Sequence, residues 1–382
     1  MLFRVNITNP NRLVASVSVV ALAASLGACS GQQAQNGAGG SSSPGATNNA
    51  GSDKLALKQD VQMTGAGASF PSPLYQRWFQ DFNGKYPKVQ INYQSVGSGA
   101  GVEQFTKGTV DFGASDTAMK DDEIQKVGDK GVLLLPMTAG SIVLAYNLPD
   151  VAELKLSRQV YTDILLGKIK KWNDPAIAKD NAGVKLPDQN ITIVHRSDGS
   201  GTTGVFTKHL SAISPEWKSK VGDGKTVQWP AGVGAKGNEG VTAQIQQTQG
   251  SIGYVEYGYA KQNNLKFAAL ENKAKKFVVP NDQSAAKTLE GVKLPENLRA
   301  FISDPEGAEA YPVVTYTWLL APKKVSDPDK AKALEAMVEY GLTEGQKISA
   351  ELGYVPLPKN VVQQVAATAD QISPDYKINV GS

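Results

Sequence analysis

An α/β protein with a largely parallel sheet is the fold class the sequence predicts. Three observations carry that expectation. Short β-branched runs such as Ile191-Thr192-Ile193-Val194 read as buried strands. Gly-Ser turns follow several of these runs, and apolar residues at helical spacing follow the turns. Over roughly the first hundred residues of the globular body the order strand, turn, helix repeats, as parallel sheets require. No repeat of 20–50 residues is visible.

Taken in order, the body starts near Val61 and runs through Gln62-Met63-Thr64 into Gly65-Ala66-Gly67-Ala68-Ser69-Phe70. Pro71-Ser72-Pro73 then opens a helix with an apolar stripe of Leu74, Tyr75, Trp78, Phe79 and Phe82. Val89 to Tyr93 is a strand, followed by Gly97-Ser98-Gly99-Ala100-Gly101 and a helix carrying Val102 and Phe105. Val110 to Ala114 is a short strand ending at Ser115-Asp116-Thr117, and Val132–Met137 and Ile142–Tyr146 read as two more. Ser157 caps a helix through Leu166, and Trp172-Asn173-Asp174-Pro175 is a turn. A glycine-rich run, Gly232 to Gly240, precedes a helix through Gln247, and Ser251 to Val255 is a strand. Tyr254, Tyr257 and Tyr259 either line a cleft or pack between elements. An apolar strand from Val313 to Leu320, a helix from Pro328 to Tyr340 and a helical segment after Lys359 complete the chain.

Residues 1–28 have the layout of an export signal: Arg4 and Arg12 precede a small, apolar stretch from Leu13 to Leu26, with no acidic residue. The stretch is short for a membrane span. Its end, Leu26-Gly27-Ala28-Cys29, resembles the lipobox of bacterial lipoproteins, which implies cleavage before Cys29 and lipidation of that cysteine. Gln32 to Ser52 is rich in Gly, Ser, Asn and Ala, carries no charge and cannot bury enough surface to offset its ordering entropy. Residues 29–60 are therefore expected to be a lipidated cysteine and flexible linker. The protein is expected to be exported and held at the outer face of a bacterial membrane, in a periplasm or at a cell surface.

Composition narrows the chemistry. With 382 residues, 41% hydrophobic and 20% charged, the chain suits a globular protein large enough for two cores. The formal net charge is only +3, two units of it from Arg4 and Arg12, so bulk attraction to nucleic acid is not expected. A single cysteine excludes an internal disulfide framework and a cysteine zinc site, and two histidines make a histidine-rich metal site improbable. No cofactor and no metal are expected.

The most informative stretch is Arg196-Ser197-Asp198-Gly199-Ser200-Gly201-Thr202-Thr203. The first N–H groups of a helix lack internal partners and carry partial positive charge, so a Gly-Ser turn leading into one suits an anion. Arg196 adds a planar, permanently charged fork. The alternative is an ordinary strand–helix junction with a capping Ser or Thr. Two further turns, Ala68-Ser69-Phe70 and Gly97-Ser98-Gly99, share this chemistry, and three such turns can converge beyond the carboxyl ends of strands. Signs of catalysis are weak. Gly224-Lys225-Thr226 lacks the first glycine of a nucleotide-binding loop, and no serine sits in a Gly-x-Ser-x-Gly elbow. His195 is either a general base or, more simply, a structural histidine bonded to backbone.

Together these residues resemble the phosphate-binding protein of the phosphate-specific ABC importer. The resemblance rests on Thr64 to Pro71, Val110-Asp111-Phe112-Gly113-Ala114-Ser115-Asp116 and Arg196 to Thr202, with support from Leu166 to Trp172 and Ile252 to Tyr257. It implies a two-lobed periplasmic-binding-protein type II fold with a strand hinge and an interlobe cleft. One lobe would combine 61–138 with 313–382, and the other would be 139–312. It implies phosphate bound by Ser69, Phe70 (through its backbone N–H), Ser98, Asp116, Arg196, Ser200, Gly201 and Thr202, with Asp198 holding the Arg196 fork. It further implies a monomeric non-enzyme that delivers inorganic phosphate to a membrane-embedded ABC permease. Ser69 replaces the Thr of many relatives, and Gly97-Ser98-Gly99-Ala100-Gly101 departs from their usual Gly-Ser-Ser-Gly-Gly. Asp116 would select phosphate, which still carries a proton near neutral pH, over sulfate, which does not. Its alternative is a helix-capping aspartate. Competing readings are a binder of another oxyanion such as sulfate or molybdate, an extracytoplasmic phosphatase, and a phosphate sensor or scavenger.

Overall fold

The computed structural model describes residues 54–381. The expected export signal, Cys29 and the expected linker as far as residue 53 lie outside the described residues. Residues 54–60, expected from the sequence to be linker, pack against the body: Leu55 is buried, and the Asp329 carboxylate accepts from the N–H groups of Lys58 and Gln59 at 2.7 and 3.2 Å. No helix among the described residues is long and apolar enough to cross a membrane.

Among the described residues twelve strands form two sheets. They are β1 (Val61–Gly67), β2 (Val89–Ser95), β3 (Phe112–Ser115), β4 (Leu133–Tyr146), β5 (Lys155–Leu156), β6 (Thr192–Arg196), β7 (Val233–Ala235), β8 (Ser251–Glu256), β9 (Lys266–Phe267), β10 (Ala269–Glu271), β11 (Phe277–Val278) and β12 (Val314–Ala321). The large sheet has the order β2-β1-β3-β12-β4-β8-β6-β7, with β9 beside β4, and β11-β10-β5 is a small separate sheet. Both flanks of the large sheet are parallel, as expected: β1 with β2 and β3, and β6 with β7 and β8. Its centre is not. β12 runs antiparallel to β3 and β4, and β4 antiparallel to β8, so the sheet is mixed. The strand–turn–helix rhythm predicts the flanks only, because β4 and β12 pair antiparallel with the strands beside them, a relation that spacing along the chain does not encode.

The two expected strands at 132–137 and 142–146 are one. β4 is continuous for 14 residues, all buried, pairing with β12 through its first part and with β8 through its last. The small residues Thr138-Ala139-Gly140-Ser141 lie between the two expected strands and belong to β4. They are small because other groups approach closely there: a side chain at Gly140 would come within 2.8 Å of the Phe70 ring, and Ala139 exchanges hydrogen bonds with the Val355 backbone. The register between β12 and β4 shifts after Thr317: Thr317 pairs with Thr138 and Trp318 with Pro136, which leaves Met137 of β4 as the extra, unpaired residue of a bulge.

Helices cover the sheet. Helix Ser72–Lys85 buries Leu74, Tyr75, Trp78, Phe79 and Phe82, the stripe expected from the sequence. Helix Pro328–Leu342 starts on Asp327, whose carboxylate accepts from Asp329 and Lys330 N–H, and helix Lys359–Ala369 closes the chain. Burial of a full aromatic or leucine side chain contributes about 1.5–3 kcal/mol, so such stripes supply most of the helices' stability.

Helix Gly201–Ile213 carries the fully buried His209. Its Nδ1 faces the Ser303 carbonyl at 2.7 Å, which can only accept, so Nδ1 holds the proton and Nε2 accepts from Tyr161 at 2.8 Å. Burial pushes this imidazole down to about 4 from an ordinary 6.5. Unfolded His209 therefore takes a proton as pH falls below 6.5 while the folded residue stays neutral, and stability declines through the window 6.5 to 4. The loss amounts to about 3 kcal/mol at its lower end. Urea midpoints measured from pH 7 to pH 4.5 should show His209→Gln with a shallower slope than the wild-type chain; equal slopes would contradict the assignment.

Candidate functional site

The carboxyl ends of β1, β2, β3 and β6 bring the expected residues together. Ser69, Ser98, Asp116, Arg196, Ser200 and Thr202 are all buried. Asp116 is the hub. Its Oδ1 accepts from Thr317 at 2.9 Å, and its Oδ2 faces the hydroxyls of Ser98 and Thr202 at 3.4 Å each. Its backbone N–H donates to Ser98 Oγ at 3.2 Å, and Thr315 donates to its carbonyl at 3.1 Å. Burial pushes the carboxyl up to about 6; the Thr317 hydroxyl, the charge of Arg196 and the other two hydroxyls hold it from rising further.

Arg196 lies at the end of β6, and Asp198 grips its fork: Nε donates to Oδ1 at 2.7 Å and the second terminal nitrogen to Oδ2 at 2.6 Å. The remaining terminal nitrogen points to Thr202 Oγ1 at 3.5 Å. Burial works against charge on both partners, and their mutual hydrogen bonds outweigh it, so Arg196 is raised and Asp198 lowered from their ordinary values. Asp198 also accepts from Gly237 N–H at 3.1 Å. The pair therefore has a fixed orientation and little residual freedom.

Ser200 is the N-cap of helix Gly201–Ile213. Its side chain accepts from Thr203 N–H at 3.0 Å and its carbonyl from Gly204 N–H, so of the first four helical N–H groups those of Gly201 and Thr202 remain. Gly201 has no room for a side chain, because a Cβ would meet Asp116 Cβ at 2.8 Å. Across from it, Gly99 N–H donates to the Gly199 carbonyl at 2.7 Å, joining the second and third Gly-Ser turns directly. The Ala68-Ser69-Phe70 turn is held from behind by three tyrosines. Tyr93, Tyr259 and Tyr354 each donate, at 2.7 Å, to the carbonyls of Ala68, Ser69 and Phe70 in turn. The N–H groups of Ser69 and Phe70 have no acceptor among the described residues.

Several participants were not singled out from the sequence. Asn238 donates through its amide to Ser69 Oγ at 3.0 Å and to Thr202 Oγ1 at 3.2 Å. Thr317, Tyr93 and Tyr354 were missed too, since nothing local distinguishes them from core residues. Asn238 had a signal: it stands in the glycine-rich run at the start of helix Gly237–Gln247. Glu256, also buried, caps helix Tyr257–Gln262 through Gly258 and Tyr259 N–H, and burial raises it well above its ordinary value. Of the tyrosines weighed earlier, Tyr254 packs rather than lining a cleft. It stacks between Phe206 and Trp229, accepts from Arg196 N–H at 3.0 Å, and shares a 2.6 Å hydrogen bond with Thr203. His195 takes the structural role: its ring stacks on Trp229 at 5.0 Å and Nδ1 faces the Arg196 carbonyl at 3.1 Å. Among the described residues no group of His, Cys, Asp and Glu could hold a metal ion.

Removing the Tyr254 hydroxyl leaves the buried Arg196 N–H without its acceptor, a cost of about 1–3 kcal/mol. Chemical denaturation of Tyr254→Phe should register that loss with an unchanged denaturant slope; a variant as stable as wild type would show that the contact contributes nothing.

Comparison with known proteins agrees with this architecture. Residues 28–344 match the PBP superfamily domain. The phosphate-binding protein PstS of Pasteurella multocida is 46% identical over 318 residues, covering 82% of this chain and 91% of the relative. That of Haemophilus influenzae is 42% identical over 315 residues, covering 81% and 93%. That of Methanocaldococcus jannaschii is 42% identical over 323 residues, covering 78% and 82%. Among solved structures, a high affinity periplasmic phosphate-binding protein bound with phosphate aligns with a TM-score of 0.67 at 18% identity, covering 84% of this chain and 100% of that one. The phosphate binding protein of Stenotrophomonas maltophilia aligns at 0.66 and 18%, covering 83% and 99%. At such identities the structural likeness establishes the fold, which is the two-lobed α/β fold of periplasmic binding proteins. The relatives establish more: by identity and by coverage, this chain belongs to the PstS family of phosphate-binding proteins within the PBP superfamily.

Proposed function

We propose that this chain binds inorganic phosphate in a cleft between two lobes and delivers it to a membrane-embedded ABC permease. One lobe is 61–138 with 313–382, the other 139–312. Those limits fall inside β4 and at the start of β12, which makes the two crossing strands the hinge. Ser69, Phe70, Ser98, Asp116, Arg196, Ser200, Gly201 and Thr202 hold the anion, and Asp198 keeps Arg196 aimed. Cys29 carries a lipid that anchors the chain outside a bacterial membrane, and the chain acts as a monomer. The relatives are named as binding proteins, and the site holds no serine or histidine placed as a nucleophile with its base, so the role is binding and not hydrolysis.

One observation supports this reading above the others: a buried carboxylate, Asp116, faces the same small space as Arg196, Ser98 and Thr202. A carboxylate beside an anion is repulsive unless a proton lies between them. Hydrogen phosphate supplies that proton and sulfate does not, so sulfate leaves two acceptors facing each other at a cost of about 1–3 kcal/mol. The neutral donors then account for affinity. Hydrogen bonds to a charged group contribute about 1.5–3 kcal/mol each, and about eight of them exceed the roughly 8 kcal/mol of micromolar binding.

The sign of the pH dependence follows from Asp116. Its pKa is raised to about 6, so it is a carboxylate above that pH and an acid able to donate below it. Calorimetry of the purified chain with phosphate, arsenate and sulfate should show phosphate and arsenate binding at pH 8 and sulfate excluded. The phosphate-to-sulfate ratio should fall as pH drops from 8 to 5, and Asp116→Asn should reproduce the low ratio at pH 8, by about tenfold or more. A ratio indifferent to both pH and the substitution would remove this account.

A further inference from the structure

Asn238 stands in a chain of hydrogen bonds that reaches two hydroxyl groups of the site and has only one possible polarity. The chain starts at Glu256 N–H, which donates to Asn238 Oδ1 at 3.0 Å. A backbone N–H has nothing to offer but a proton, so the amide oxygen must face it and the amide nitrogen must face the other way. That nitrogen, a donor only, meets Ser69 Oγ at 3.0 Å and Thr202 Oγ1 at 3.2 Å. The backbone N–H of Asn238 also donates to Ser69 Oγ, again at 3.0 Å. Two donors therefore occupy the lone pairs of Ser69 Oγ, and its proton has to leave in another direction. No acceptor for that proton exists among the described residues. Thr202 Oγ1 receives from Asn238 and from Arg196, and its proton is turned toward Asp116 Oδ2 at 3.4 Å.

We propose that Asn238, which is fully buried and joins β1's turn to the helix after Arg196, is a positioning residue that commits Ser69 and Thr202 to donate their hydroxyl protons into the oxyanion site. This rests on the phosphate reading above and deepens it. A hydroxyl can serve an anion as donor or oppose it as acceptor, and rotation between the two costs little when nothing fixes it. By occupying the oxygen lone pairs, Asn238 removes the unfavourable rotamer before the anion arrives. The residue does not touch the anion on this account; it acts through Ser69 and Thr202.

The isosteric Asn238→Asp variant inverts the polarity. One carboxylate oxygen still accepts from Glu256 N–H, and the other now accepts where the amide nitrogen donated, so Ser69 turns its proton away from the site. Calorimetry with inorganic phosphate on the purified chain at pH 8 should show affinity weakened about 100-fold or more relative to wild type. As pH falls and the new carboxyl regains a proton it can donate again, so the deficit relative to wild type at the same pH should shrink by about tenfold. Asn238→Ala, which frees the hydroxyls without inverting them, should lose about tenfold or less, with a deficit that does not change with pH. In the Ser69→Ala background the effect of Asn238→Asp should shrink, since one of its two targets is gone. A structural role would lower affinity equally at every pH and in both backgrounds, and that result overturns the proposal, as does an Asn238→Asp variant that binds like wild type at pH 8. If wild type itself gives no heat with phosphate, the phosphate reading falls and this inference with it; if wild type binds and the variants are indifferent, only this inference falls.

Discussion

A carboxylate held out of water with no cation in direct contact is the constraint on which the rest of this structure depends. Asp116 is 1% exposed, and Asp198 already grips the guanidinium of Arg196 on two sides. What supports the Asp116 charge, besides the nearby charge of Arg196, is a set of hydroxyls, Thr317, Ser98 and Thr202, delivered from three separate parts of the chain. Each has to be placed independently. Thr317 comes from β12 opposite the bulge in β4, Ser98 from the start of the helix after β2, and Thr202 from the first turn of the helix after β6. Loss of any one leaves a buried acceptor short of a donor, which is why a mixed sheet with its central strands running across both flanks suits the site so well.

The parts of this arrangement that were legible from the sequence are those written in consecutive residues. The flanking strand–turn–helix units, the aromatic stripe of helix Ser72–Lys85 and the Gly-Ser turns all follow from spacing and turn chemistry. What could not be read locally depends on contacts between distant segments. Thr138 to Ser141 lies between the two expected strands, and only the fold brings the Phe70 ring and the Val355 backbone against it. Tyr354 lies nearly three hundred residues from the carbonyl it holds. Residues 54–60 carry two lysines and an aspartate around Leu55-Ala56-Leu57, and the burial of Leu55 together with Asp329 and Glu339 of helix Pro328–Leu342 explains why they dock. Asn238 falls between the two cases, visible as part of a glycine-rich helix start but without a partner until the fold supplies Ser69 and Thr202.

The support behind the site is as ordered as the site itself. The column Phe206, Tyr254, Trp229 and His195 stacks at centroid separations of 4.8, 5.4 and 5.0 Å and holds the Tyr254 ring, whose hydroxyl fixes the backbone of Arg196 and the side chain of Thr203. On the opposite side, three tyrosine hydroxyls fix three consecutive carbonyls of the first turn. Phenols serve this purpose well because a rigid ring buries a large apolar area while placing one polar atom at a set distance from the backbone. Donors that are already aimed need no reorganisation when an anion arrives, so more of their interaction energy is retained as affinity.

The charges in the site lead to one further step. Arg196 contributes one positive charge, and Asp198 and Asp116 one negative each above the Asp116 titration, so the side chains gathered here carry a net negative charge. On the proposed reading an anion nevertheless binds, which means that its charge is met by oriented dipoles: hydroxyls, the N–H groups of the first turn, and the N–H groups of Gly201 and Thr202 at a helix start. Dipoles act over short distances and add no long-range attraction, unlike a basic patch that draws in any anion from solution. Recognition then depends on shape and on the position of a proton at close contact, and the field of the protein does not favour phosphate over other anions until they have entered. That is the arrangement a selective binder needs: a modest field outside, and donors and one acceptor placed so that only a protonated tetrahedral oxyanion satisfies all of them.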